Sequence, residues 1–562
     1  MTKLLQRFSL FIGTFSLFFI LGCGSKTVEL PESTTSYGLN NSTVQEIFDY
    51  QDRRNANELL VFFNHQDATY RYITAMALAS IQDTTKTVIT ALTEATKDED
   101  EDVRYAAIYA LGQTYHHSAV LPLVKAFGND LATADNRLNA MVLEGIGKCA
   151  PESYLDFLVK PNKYTDKDTL LLEGQAWGIY RFALRGISSE SGTQKMIDYV
   201  GDNNKSASIR RIAANYLGRV KDVDLTAHKS KILKAIRDEK DLYTKLPLVL
   251  STSKIEDEEE TTLAAMRLEF SRAADYRLKI NIMRALKKYE YPFTKELFSN
   301  ALKDENEQVR IAAAEHFRLN GIRNDVDEYY AIGGDSTLTD PNIQLNLLGA
   351  ALANVSYTRS ALRKKVNEQL VNIYQTNSSP YTKGLALKAL AGFAGNYKMM
   401  IDEAEKADNH PYVKSSALEG LISIRSNPRL SAIFGEYYGG VAQVIQKAFK
   451  TAIMSNDVGI ISLATTALRN PKFKYNSYMR YDFEFLKIAQ GKLKLPRDME
   501  AYYDLQHTID FFEGKPVTKN TEKPKYNHPI NWPNIKKVNE TTEATITPDK
   551  GEITLPFNHP IP

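Results

Sequence analysis

The chain has only two cysteines, Cys23 and Cys149, in 562 residues. Two thiols exclude a disulfide framework and any cysteine-rich zinc site. Cys149 ends the apolar run MVLEGIGKC and reads as a small buried hydrophobe. An excess of either charge is also lacking. Against 70 Lys and Arg stand 68 Asp and Glu, for a net charge of +2, so composition gives no argument for a nucleic-acid partner. No glycine-rich phosphate loop, Gly-x-Ser-x-Gly elbow or His-Glu-x-x-His helix occurs, and no cofactor is implied. The acidic runs Asp98–Asp102 and Glu256–Glu260 lack the alternation that wraps calcium, and read as solvated turns. His116 and His117 follow a helix end with no further ligands at helical spacing, and read as surface or capping groups.

A long hydrophobic run occurs at the N-terminus. Lys3 and Arg7 precede the apolar stretch Phe8–Gly22, which has signal-peptide length and is short for a membrane span. It ends Ile20-Leu21-Gly22-Cys23 and resembles a bacterial lipobox. That resemblance implies a signal peptide over 1–22, a lipid on Cys23 and a tether over 23–45. The implied location is the cell envelope, anchored to a membrane by lipid.

What the chain does have is a repeat. Helical stripes at i, i+3, i+4, i+7 and i+8 begin at Tyr70, Val103, Leu138, Leu172, Ile209, Leu242, Leu278, Val309, Ile343, Thr382, Val413 and Ile460. Their spacings run from 31 to 47 residues and cluster near 35. A two-helix unit such as 87–112 cannot bury its stripe alone, so copies must stack on it. Pro247 falls inside the sixth stripe and is expected to break or kink that helix.

The strong units read Asp100-Glu-Asp-Val-Arg104-Tyr-Ala-Ala and Asp304-Glu-Asn-Glu-Gln-Val-Arg310-Ile-Ala-Ala. They resemble HEAT or HEAT-like repeats, in which an Asp in the turn and an Arg opening the second helix tend to pair between neighbours. The resemblance implies that Asp100, Arg104, Asp304 and Arg310 stitch repeats together. Asn139 at the Arg place leaves that ladder incomplete. The expected fold is all-α, a HEAT-like α-solenoid of about twelve two-helix repeats with a short extended C-terminal tail. The solenoid is expected over 46–470, a helical cap over 471–514, a linker over 515–543 and a strand-like tail over 544–562.

Within the tail, ATITPDKGEITL alternates apolar and polar residues about a turn, which is a hairpin signal. Lys550–Leu555 resembles the first strand of a cyclophilin-type peptidyl-prolyl isomerase. That family's catalytic arginine and proline pocket have no counterpart in the chain, so no activity is carried over. A lone hairpin is marginal in water, and the tail is expected to be either poorly ordered or pinned on the solenoid.

Two functions follow as expectations. In the first, the chain is a lipid-anchored, non-enzymatic scaffold whose solenoid takes a protein or peptide partner in its groove, with no nucleic acid involved. The unusual cluster Trp177, Tyr180 and Arg181 is its candidate binding surface, since those residue types favour interfaces. In the second, the chain is the substrate-holding part of a HEAT–cyclophilin isomerase whose catalytic domain has been cut off. His316, on an apolar stripe, reads as a packed histidine.

Overall fold

A computed structural model describes residues 38–128, 135–160, 168–256, 260–335, 338, 340–475, 482–518, 529–537, 543–547 and 551–556. The apolar leader, Cys23 and Lys550 lie outside the described residues. Contacts divide the described chain into two units. One runs up to Lys195 and includes the residues from Tyr526 onward; the other is Met196–Lys525.

In the first unit a leading helix α1 (Ser42–Asp52) is followed by the second helices of successive repeats: α2 (Ala68–Ile81), α3 (Glu101–Gln113), α4 (Asn136–Cys149) and α5 (Thr169–Leu184). Each packs on its neighbour in chain order, α1 on α2 through α4 on α5. In the second unit the corresponding helices are α6 (Ala207–Arg219), α7 (Leu242–Leu250), α8 (Tyr276–Ala285), α9 (Glu307–Asn320), α10 (Pro341–Asn354), α11 (Pro380–Leu390), α12 (Pro411–Arg425), α13 (Val458–Leu468) and α14 (Met499–Glu513). They stack one on the next in the same way. Each unit is therefore a solenoid segment, and the fold is the all-α repeat array that the periodicity implies.

Every stripe leader falls inside one of these helices, most often two residues after its start. The reason is local. Asp67, Asp100, Asp135, Ser206, Asp275, Asn306, Asp340, Ser379 and Asp457 are N-caps whose side chains accept from backbone N–H groups of the first turn. Such a cap stabilises a helix by about 1 kcal/mol. It also fixes where the helix starts, and so which face the stripe presents.

Pro247 does not break its helix. Residues Leu242–Leu250 run through it and tighten into a 3-10 turn at Ser251–Lys254. Its missing N–H would have bonded the carbonyl of Tyr243 in the first turn, so a single bond near the helix start is forfeited. The tail holds a two-stranded antiparallel ladder, β1 (Glu543–Ile546) against β2 (Ile553–Pro556), with Glu543 opposite Pro556 and Ile546 opposite Ile553. Among the described residues, no helix is long and apolar enough to cross a membrane.

Candidate binding face

Glycine sets the spacing at which the site is built. A Cβ on Gly174 of α5 would stand 2.5 Å from the Ala140 Cα of α4, and one on Gly178 would stand 2.6 Å from the Leu143 carbonyl oxygen. Helices that meet through bare Cα atoms lie unusually close. Side chains just off that seam are then forced together. Glu144 of α4 accepts from Arg181 of α5 at 2.8 Å and from Lys148, one turn on, at 3.1 Å.

From this anchor an aromatic and cationic ladder runs across three second helices. The Arg181 guanidinium lies 4.8 Å over the Trp177 ring, and Trp177 stacks on Tyr180 at 5.8 Å. The Lys148 ammonium lies 5.6 Å over Tyr109 of α3. Tyr105, one turn before Tyr109, donates its hydroxyl to Asp135 at 2.7 Å, and the Arg137 guanidinium sits 4.6 Å over its ring. Burial and then the Asp135 carboxylate push the Tyr105 hydroxyl up to about 12, so it stays a donor at neutral pH. Each cation is thus satisfied by a carboxylate or a ring face, while Trp177 and Arg181 remain half-buried and Tyr109 exposed.

The candidate residues read from the sequence fall out unequally. Trp177 and Arg181 sit together on this face. Tyr180 is buried at 4% exposure and backs Trp177 without reaching solvent. It holds the last stripe position, which points at the neighbouring helix. Tyr105, Tyr109, Glu144 and Lys148 complete the face and were not singled out by sequence. They lie off the stripe, and Tyr105 and Tyr109 are separated by one helical turn, a signal that was available.

The stitching charges divide differently from the pattern the resemblance implies. Asp100 caps α3, accepting from Asp102 and Val103 N–H groups. The pairing acid is Asp98, two residues earlier. Arg71 of the preceding repeat grips it through two bonds of 2.8 Å. Burial alone would raise the Asp98 carboxyl, but Arg71 and the Asp100 N–H hold it below the usual range. Arg104 donates to the carbonyls of Asp98 and Glu99 in its own turn, and Arg310 to those of Asp304 and Glu305. Asp304 does receive a neighbour, Lys279, at 2.6 Å. Arg210 reaches Glu239 at 2.9 Å in the same sense. Arg71 and Arg210 each tie down their own turn and bridge forward to an acid in the next, whereas Arg104 and Arg310 tie down their own turn and Lys279 bridges forward. Asn139 ties down its own turn, bonding both the N–H and the carbonyl of Gly128.

Cys149 and His116 have structural partners. Cys149 is buried with its thiol against the Leu111 and Gly112 carbonyls. His116 caps a short turn by accepting from the Ser118 N–H. Among the described residues, no group of three or more His, Cys, Asp or Glu is placed to hold a metal ion.

Stacked helix pairs define the fold class, an α-solenoid, and the second helices opened by Val103-Arg104 and Val309-Arg310 are HEAT-like. Residues 56–141 match the sequence profile of HEAT repeats. No curated protein sequence matches the chain. Among solved structures the chain is similar to importin beta crystallised in an ammonium sulfate condition, with 11% identity and a TM-score of 0.48 over 83% of this chain and 69% of that one. It is also similar to Kap121p bound to Pho4p, at 10% identity and TM-score 0.37 over 81% and 66%, and to a Kap95:Nup1 complex, at 13% and 0.35 over 83% and 62%. Similarities this slight bear on neither partner nor mechanism.

Proposed function

We propose that this chain is a membrane-anchored scaffold of the cell envelope. A lipid on Cys23 holds it to a membrane, and the Tyr105–Arg181 face binds a protein or peptide partner. The observation that carries the binding part is the ladder itself. Tyr, Trp and Arg side chains from three consecutive second helices are locked in place by Glu144 and Asp135 and left partly open to solvent. Pre-ordered aromatic and Arg groups lose little entropy on binding, which is what makes such residues effective anchors. The work is done by shape and side-chain complementarity, with no bond made or broken.

A photo-crosslinking residue in place of Tyr109 tests this. It is expected to give an adduct of discrete mass in cells that Trp177→Ala abolishes, while the same residue at the exposed Tyr437 gives none. Adducts of equal yield and pattern at both positions would remove the reading. For the anchor, Cys23→Ala is expected to move the protein out of the membrane fraction; a variant that stays bound argues against lipidation.

The paired strands β1 and β2 favour one second reading, in which the chain is the substrate-holding part of a longer cyclophilin-type isomerase. A reading frame that continues past the codon for Pro562 into a Phe-His-Arg-like isomerase core would support it, and unrelated sequence there would remove it.

A further inference from the structure

By composition the stretch 515–543 is a linker. Part of it is nonetheless seated on the first helix of the array. A short helix α15 (Trp532–Ile535) brings the Trp532 indole N–H to the Asp49 carboxylate of α1 at 3.1 Å, between residues 483 apart in sequence. The indole ring lies 6.5 Å from Phe48, tilted by 44°. Ile530 enters a recess of about 230 Å³ formed with Phe48, Gln51, Asp52, Arg54, Ser80 and Ile81. Over residues 529–537 the half-buried side chains are Ile530, Trp532 and Ile535; Pro529, Asn531, Pro533, Asn534, Lys536 and Lys537 are exposed. A segment whose apolar groups are half-buried while its polar and proline residues are exposed has the side-chain economy of a bound peptide.

The indole has a single donor and no acceptor, so one carboxylate satisfies it completely. A hydrogen bond to a carboxylate is of the stronger, charge-assisted class. The recess does not end under the tail. Phe48 and Gln51 also line an adjoining cavity of about 460 Å³, with Tyr72, Met76, Tyr109 and Gln113. The seat is therefore the occupied end of a longer groove.

We infer that the first repeat is a peptide-docking site, and that its occupant in this chain is the chain's own Ile530–Ile535 segment. The site takes in trans a segment of the same chemistry. That ligand has a tryptophan as anchor, an aliphatic residue two positions before it and another three after, with prolines or asparagines between. A tethered ligand acts at an effective concentration on the order of millimolar, so the tail keeps the site closed to weak ligands and yields only to tighter ones. The adjoining cavity shares Tyr109 with the Tyr105–Arg181 face, but the test reads only the Asp49 seat, so its failure and the failure of that face are distinguishable.

The test is a fluorescein-labelled peptide of residues 526–540, titrated by anisotropy into the full chain, into Trp532→Ala, and into Trp532→Ala combined with Asp49→Ala. Helix content, read by circular dichroism, is expected to be the same in all three. Removing the tail's anchor is expected to open the site, giving saturable binding to Trp532→Ala, about tenfold weaker binding to the full chain, and about tenfold weaker binding when Asp49 is also lost. No saturation by Trp532→Ala up to about 1 mM, or equal binding by all three proteins, overturns the inference. A second readout needs no peptide. Trp177 and Trp532 are the two tryptophans, so Trp177→Phe leaves Trp532 as the sole reporter. Its emission is expected to lie to the blue of the free peptide and to shift red with Asp49→Ala. Emission already equal to that of the free peptide overturns the docking.

Discussion

Two aromatic clusters with ionisable members stand in the two units, and they are put to opposite uses. In the first unit Tyr105, Tyr109, Trp177 and Arg181 lie along second helices with their faces partly open. In the second, Tyr291, Phe298, His316, Phe317 and Tyr329 are all buried. There the His316 ring stacks on Phe298 at 3.6 Å, and the Tyr291 hydroxyl meets both Tyr329 at 2.5 Å and Asp325 at 2.9 Å. Residue type does not separate the clusters; register does. His316 and Phe317 occupy the last two stripe positions of their helix, which point into the repeat. Tyr105 and Tyr109 fall beside the stripe of theirs. A buried ring whose polar tip is consumed by another buried group holds the array together. A ring held by a cation over its face and left partly exposed is free to meet something else.

The sharpest way to break the first cluster is to separate its helices. Gly174→Val drives a branched side chain into the α4 backbone, which cannot move aside as a flexible side-chain tip would. The expected loss is about 4 kcal/mol or more in urea unfolding of the first unit, with Arg181 and Glu144 pulled apart. Gly440, by contrast, has open space around it. Gly440→Ala is expected to be neutral or stabilising by up to about 1 kcal/mol, since it only restores helix propensity. Equal effects at the two glycines would mean that close approach is not what builds the face.

Next in size is the bridge between repeats. Arg71→Ala leaves Asp98 buried without its guanidinium and is expected to cost about 3 kcal/mol. Arg359 and Asp327 form an equally short pair at 2.6 Å, but with side chains 45% and 73% exposed. Breaking that pair with Arg359→Ala is expected to change stability by less than about 1 kcal/mol. Thermal melts of both variants compare the two bridges directly.

These contrasts also mark how far the chain could be read before its structure. The helices were legible because stripe and cap are local: an Asp, Ser or Asn three residues before the first apolar position both starts the helix and sets its face. The two-helix repeat followed from the period. Which acid does the stitching was not legible. Asp98 and Asp100 stand in the same acidic turn, and only the three-dimensional path of that turn sends one to its own helix and the other to Arg71. Trp177 and Arg181 stood out by type, but Glu144, which orients them, sits 37 residues from Arg181, on the preceding helix. The Trp532 seat was hidden by composition. Proline, asparagine and lysine made its surroundings read as linker, and its partner Asp49 belongs to the opposite end of the sequence.

The last contrast concerns the second cluster and has a definite sign. Burial, and then the nearby Lys287 charge, lower the His316 imidazole to about 4. Its ordinary value in an unfolded chain is about 6.5. Between those values the unfolded state binds a proton that the folded state refuses. Stability is therefore full above about pH 6.5 and falls progressively as pH drops toward 4. Spread over that window the loss is at most about 3 kcal/mol. His316→Gln is expected to lower stability at neutral pH and to flatten this slope. On the Tyr105–Arg181 face the Tyr105 hydroxyl is raised well above that window. Urea unfolding at several pH values, followed separately in each unit, is thus expected to show acid sensitivity between pH 6.5 and 4 in the His316 unit. A slope that persists in the glutamine variant would place the proton elsewhere and show that the stacked histidine is already able to charge.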